Sequence, residues 1–119
     1  VKILIADDDH FIRILLTDLL TDLGHTVVAA SNGAEAVELW KREQPDVAVL
    51  DFLMPKLSGI DALRAMRADG ARVPAVLLTA ISDRSIRELE GENAPTTFLE
   101  KPFKRRSLEK ALAKAAESE

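Results

Sequence analysis

Cysteine is missing from the chain altogether. Its absence excludes a disulfide framework, a zinc-thiolate centre and a cysteine nucleophile, and it is in keeping with a reducing compartment. Also missing are any apolar run of 18 residues, the length a membrane span needs, and any basic-then-apolar leader. A soluble, cytoplasmic chain without membrane attachment is therefore expected. An excess of positive charge is lacking too: 16 basic against 20 acidic residues leave a net charge of -4, so the broad basic footprint of a nucleic-acid binder is not there. No repeat, low-complexity segment or linker is visible, and 119 residues give room for one ordinary domain but not for an output-type domain beside it. What is present suffices for a packed core: 47% of residues are hydrophobic and 30% charged. These quantities leave enzyme, binding module and signalling domain all open.

Five short apolar runs read as strands: Val1 to Ala6, Thr26 to Ala30, Val47 to Leu50, Ala75 to Thr79 and, more weakly, Thr97 to Leu99. Most lack clean alternation, as parallel strands covered on both faces do. Between them lie helical periodicities. Phe11, Ile12, Leu15, Leu16, Leu19, Leu20 and Leu23 form one amphipathic stripe, closed by Gly24. Ala36, Val37 and Trp40 form a second, opened by Asn32 with Glu35 three residues on and followed by Pro45. Ser58 opens a third, which buries Ile60, Leu63 and Met66 and stops before Gly70, while Leu108, Ala111, Leu112 and Ala115 mark the last. From Asp83 to Asn93 only Ile86 and Leu89 are apolar, and Gly91 and Pro95 cut the segment short, so a short, loosely held helix is expected there. Alternation of strand and helix implies parallel crossover connections and a doubly wound α/β sheet with helices on both faces. Ligands of such sheets bind outside the carboxyl ends of the strands.

Polar residues stand at those ends. The first strand runs into Asp7, Asp8 and Asp9, the third ends at Asp51, the fourth at Thr79, and Lys101-Pro102 follows the fifth. The plain alternative for the acidic run is helix capping, since Asp9 or His10 can cap the first helix and acids there suit its dipole. Two unit charges about 5 Å apart at an effective dielectric near 20 repel by roughly 3 kcal/mol, so three neighbouring carboxylates call for a cation. Oxygen donors without cysteine or a histidine pair favour Mg²⁺ over zinc. With the cation and Lys101 added, the site comes near neutrality and can accept an anion such as a phosphoryl group.

The run ILIADDD, the segment PDVAVLDFLMPKLSGID, the pair Thr79-Ala80 and the tripeptide Glu100-Lys101-Pro102 together resemble the receiver domain of two-component response regulators, over essentially all of residues 1–119. The resemblance implies a flavodoxin-like, CheY-like fold: five parallel strands in the order 2-1-3-4-5 with five helices. It implies that Asp51 accepts a phosphoryl group from a sensor histidine kinase or histidine phosphotransfer protein. It assigns Mg²⁺ to Asp7, Asp8, Asp51 and the backbone carbonyl of Leu53, pairs Lys101 with the phosphoryl oxygens, and makes Thr79 the hydroxyl that swings toward them. Phosphoryl transfer needs in-line positioning and neutralised oxygens rather than covalent help, and these groups suit it. Small Ala80 leaves room above Asp51, Met54-Pro55 and Gly59 shape the following loop, with Gly59 expected to adopt a conformation other residues resist, and Lys101-Pro102 is expected to be cis.

Phe98, three residues before Lys101, occupies the family's switch position, although a plain core aromatic is the alternative. Leu53 and Ile81, two residues beyond Asp51 and Thr79, are aliphatic where polar side chains can orient a hydrolytic water, which points to a long-lived phosphoaspartate. The resemblance leaves open a phosphorylation-dependent dimer, a partner or fused output domain of unknown kind, and whether a chain beginning at Val1 is cut from a longer regulator or hybrid kinase. Lys104, Arg105 and Arg106 read as a solvated basic corner or a contact for an acidic partner, and His10 and His25 as surface or loop residues. Two other classes compete. A haloacid-dehalogenase-type phosphatase would use Asp7 and Asp9, but no threonine stands two residues beyond Asp9 and there is little room for its core. A flavin carrier shares the architecture, but three aspartates occupy the loop that would have to cradle a phosphate.

Overall fold

The computed structural model describes residues 1–70, 73–79 and 97–117. Five strands form one parallel sheet: β1 (Lys2–Ala6), β2 (Thr26–Ala30), β3 (Val47–Asp51), β4 (Ala75–Thr79) and β5 (Thr97–Glu100), in the order β2-β1-β3-β4-β5. Among the described residues four helices accompany them: α1 (His10–Asp22), α2 (Gly33–Glu43), α3 (Gly59–Ala68) and α4 (Arg105–Glu117). The expected helix over 83–93 lies outside the described residues, as do Ala80 and Ile81. Strand and helix positions follow the sequence reading to within a residue or so.

Because successive strand residues face opposite ways, each strand feeds two cores. Leu4, Ala6, Leu50 and Leu77 pack with Leu39, Trp40, Leu63 and Met66 of α2 and α3 on one side. Ile3, Ile5, Val49, Val76 and Leu78 pack with Leu16 and Leu20 of α1 and Leu108, Ala111 and Ala115 of α4 on the other. β1, β3 and β4 are buried nearly throughout, whereas the edge strand β2 exposes Thr26 and Ala29 and only half-buries Val27 and Val28. An edge strand lies at the margin of the helical layers, so apolar composition alone overstated its coverage.

Each of the first three helices is capped as its first residues suggest. Asp9 accepts hydrogen bonds from the N–H groups of Phe11 and Ile12, Asn32 from Glu35, and Ser58 from Asp61. The Glu35 carboxylate takes up the Ser31 hydroxyl at 3.1 Å. Gly24 and Gly70, with φ of 93° and 91°, follow α1 and α3 in the left-handed region.

The stripe on α1 is narrower than its sequence indicates. Leu16 and Leu20 are buried and Ile12, Leu19 and Leu23 half-buried, but Phe11 is 80% exposed, and Ile14 and Leu15 are exposed with it. A helix lying on a sheet buries one line of side chains and its flanks. Phe11 and Leu15, four residues apart, form the next line round and stay in solvent.

Candidate functional site

The parallel register brings the strand ends to one edge. Ala6 pairs with Ala30 and Leu50, Asp51 with Leu78, and Thr79 with Glu100. Asp7 prolongs β1 by one bond, its N–H donating to the Ala30 carbonyl at 3.2 Å. Its side chain is wholly buried; Oδ1 accepts the Asp9 N–H at 2.9 Å and Oδ2 meets Lys101 Nζ at 2.9 Å. Lys101 Nζ also lies 3.1 Å from Asp51 Oδ1. Carboxylate oxygens of Asp7, Asp8 and Asp51 all fall within 4.8 Å of one another, with Asp8 the exposed member. Asp9 stands apart as the α1 cap.

Charge is concentrated here. Burial, and then the neighbouring Asp7 charge, push the Asp51 carboxyl from its ordinary 3.8 up to about 6, against the pull of Lys101. Burial presses the Lys101 ammonium down, but the hydrogen bond to Asp7 and the charge of Asp51 outweigh it and leave the group above its ordinary value. Three carboxylates against one ammonium leave two uncompensated negative charges when all are ionised. An oxygen-only donor set with that residual charge fits a hard divalent cation.

The loop after β3 is fixed by close backbone approach. Phe52 N–H donates to the Leu78 carbonyl at 2.9 Å and Gly59 N–H to the Phe52 carbonyl at 3.0 Å. A Cβ on Gly59 would fall on the Asp51 carbonyl, and one on Gly33 would fall on the Leu57 carbonyl. Gly59 is therefore required for space, not for an unusual backbone conformation; the left-handed residue of this loop is Lys56, at φ 68°. Leu53 projects its side chain outward, 69% exposed.

Thr79 is buried at the end of β4, and its carbonyl accepts the Lys101 N–H at 2.6 Å. The Lys101–Pro102 peptide is cis, as expected. Phe98 is 37% exposed and points away from the face that buries its neighbour Leu99, so it is no plain core aromatic. Arg105 of the basic corner meets Asp22 at 2.9 Å and Glu109 at 3.6 Å, tying α4 to the end of α1. One residue beyond the expected set reaches the acidic loop: Arg13 Nη1 donates to the Asp7 carbonyl at 2.8 Å. Its only trace in the sequence is a basic residue four positions after the aspartate run.

A family model, the response regulator receiver domain, matches residues 3–113. The chain belongs to that family. This receiver domain is 40% identical over 108 residues to "Probable transcriptional regulator ycf27" of Porphyridium aerugineum, covering 91% of the chain and 45% of that protein. It is 38% identical over 114 residues to "Response regulator MprA" of Mycobacterium ulcerans, covering 96% and 48%. The receiver domain thus spans less than half the length of these relatives. Among solved structures, a response regulator receiver domain protein of Clostridium thermocellum superposes with a TM-score of 0.88 at 29% identity, covering 98% of this chain and 94% of the other. Chemotaxis protein CheY4 of Vibrio cholerae gives 0.88 at 28% identity, covering 96% and 97%. The receiver domain is accordingly a regulatory module of a two-component system. Among its described residues no helix is long and apolar enough to cross a membrane.

Proposed function

We propose that Asp51 is the phosphoacceptor of this receiver domain, taking a phosphoryl group from the phosphohistidine of a sensor histidine kinase or histidine phosphotransfer protein. The observation that carries the reading is the buried Asp51 carboxylate sharing one ammonium, Lys101, with Asp7 at the edge of the sheet. Asp7, Asp8 and Asp51, with the Leu53 carbonyl, would hold Mg²⁺, which when bound supplies positive charge to the equatorial oxygens of the transferring group.

An Asp51 carboxylate oxygen attacks phosphorus in line, the P–N bond breaks and its electron pair goes to the ring nitrogen; a ring already protonated at its other nitrogen leaves as neutral imidazole, and an unprotonated one takes that proton from solvent. Burial and the Asp7 charge raise the Asp51 pKa in the metal-free site to about 6, so the carboxylate is still mostly ionised at neutral pH. Lys101 holds the carboxylate in place before transfer and pairs with a phosphoryl oxygen after it. The exposed apolar side chains Phe11, Ile14 and Leu15, on the helix that starts beside the acidic loop, support docking of a partner on this side of the site.

The added charge on Asp51 draws the Thr79 hydroxyl inward, and Phe98 turns from its half-exposed position to follow, changing the surface next to α4. That surface speaks to an output partner or attached segment, or to a second copy in a phosphorylation-dependent dimer, and the domain itself, at a net charge of -4, is not a nucleic-acid binder. We place the protein in the cytoplasm. The domain is regulatory rather than an enzyme acting on a separate substrate; its own phosphorylation and slow dephosphorylation are its chemistry.

Incubation with acetyl phosphate and Mg²⁺ yields an acid-stable, base-labile phosphoprotein, and EDTA abolishes its formation. Equal labelling in EDTA, or flavin co-purifying with the protein, contradicts the reading. The aliphatic pair at Leu53 and Ile81 protects the phosphoryl group from water, so Leu53→Asn combined with Ile81→Glu hastens decay of the label by about tenfold or more, within the range of positioned acid–base assistance. Unchanged or slower decay in a time course of labelled protein removes this role.

A further inference from the structure

The three carboxylates of the acidic site are not held alike. Asp7 is anchored through both oxygens, by the Asp9 N–H and by Lys101. Asp51 closes the buried strand β3 and is anchored by Lys101. Asp8 is exposed, and among the described residues its carboxylate has no hydrogen-bond or ion-pair partner. Its direction is therefore set by its backbone, and first of all by the Asp7–Asp8 peptide. The oxygen of that peptide is the one that Arg13 Nη1 holds at 2.8 Å.

The arginine is itself braced. It is half-buried in the second turn of α1, and its other terminal nitrogen, Nη2, lies 3.2 Å from His10 Nδ1. A planar guanidinium engaged at two nitrogens has little freedom left, so it fixes the plane of the peptide it binds. Turning that peptide would swing the Asp8 side chain away from Asp7 and Asp51 while leaving those two in place.

We propose that Arg13 is a positioning residue for divalent-cation binding, locking the Asp7–Asp8 peptide so that the otherwise unsupported Asp8 carboxylate stays with the other two. The inference rests on the reading of these aspartates as a metal site. It also opposes the simplest electrostatic expectation, in which removing a cation near three carboxylates strengthens the binding of Mg²⁺. Here the loss of orientation outweighs the loss of repulsion.

Titration calorimetry with MgCl₂ on the whole chain tests it. Arg13→Ala raises the Mg²⁺ dissociation constant by about tenfold, the lower end of what loss of a ligand-orienting partner costs. Arg13→Lys, which keeps one donor within reach of the carbonyl, recovers most of the affinity, and circular dichroism of the metal-free variants stays native. In an Asp8→Asn background, whose own affinity is already reduced, Arg13→Ala produces no further loss, because its effect runs through Asp8. Unchanged or tighter binding by Arg13→Ala overturns the proposal, and so does a full additional tenfold loss in the Asp8→Asn background, which would mark a general structural role. Absence of Mg²⁺ binding by the wild type overturns the metal-site reading itself, and this inference with it, and is distinguished from the other outcomes because it is seen before any variant is compared.

Discussion

Asparagine at position 51 stabilises the metal-free protein by about 1–2 kcal/mol at pH 7.5 and reduces phosphoryl uptake to background. The gain follows from the direction in which the fold moves the Asp51 carboxyl, from 3.8 to about 6, chiefly through burial and the Asp7 charge. A carboxyl whose pKa is higher in the folded than in the unfolded chain binds its proton more tightly when folded. Its contribution is therefore fully present below about pH 4 and is lost as the pH rises through about 6. A shift of that size corresponds to at most about 3 kcal/mol, and the part Lys101 returns by pairing with the ionised form reduces what asparagine recovers. Urea unfolding in EDTA at pH 4.5 and 7.5 reads this as a difference: Asp51→Asn gains stability relative to the wild type between the two. Millimolar Mg²⁺ restores the wild type at pH 7.5 by mass action and does little for the variant. A variant less stable than wild type at pH 7.5 in EDTA contradicts the account of the site's electrostatics.

Alanine at position 59 costs about 2–4 kcal/mol of stability and impairs phosphorylation with it, the range expected when added atoms meet a packed backbone. The new methyl would occupy the place of the Asp51 carbonyl oxygen, and the Leu77 side chain closes the space at 3.1 Å. Neither chain can yield without moving the strand end that presents Asp51. Gly70→Ala is the control. Nothing lies within 4 Å of its Cβ position, but its φ is 91°, so it loses only the roughly 1 kcal/mol of a conformational penalty. Denaturant midpoints of the two variants separate the steric from the conformational requirement. If Gly59→Ala unfolds no earlier than Gly70→Ala, the contact between α3 and the end of β3 is softer than the backbone geometry indicates.

The chain disclosed its strands and caps readily because those signals are local. Apolar runs ending in Asp7, Asp51 and Thr79 show both where the sheet runs and which of its edges gathers the polar groups, and Asp9, Asn32 and Ser58 cap helices as such residues do anywhere. The juxtaposition of Asp7, Asp8, Asp51 and Lys101 follows from parallel topology, once alternation of strand and helix is granted. Features that depend on how wide a neighbour is, or how near one backbone comes to another, were not legible. Phe11 and Leu15 fit a helical stripe equally well whether or not the sheet reaches them. Gly59 could be assigned a purpose, but the choice between an unusual φ and a close approach to the Asp51 carbonyl needed coordinates. Arg13 carries no motif at all, since its role depends on which carbonyl lies within reach of a long side chain.

Asp51, and no other carboxylate of the cluster, is expected to receive the phosphoryl group. Peptide mapping by mass spectrometry of protein loaded with acetyl phosphate and Mg²⁺, kept acidic throughout digestion, locates the modification. A single phosphoryl group is expected on the peptide containing Asp51 and none on the peptide containing Asp7, Asp8 and Asp9. Modification of Asp7, with Asp51 unmodified, would contradict it.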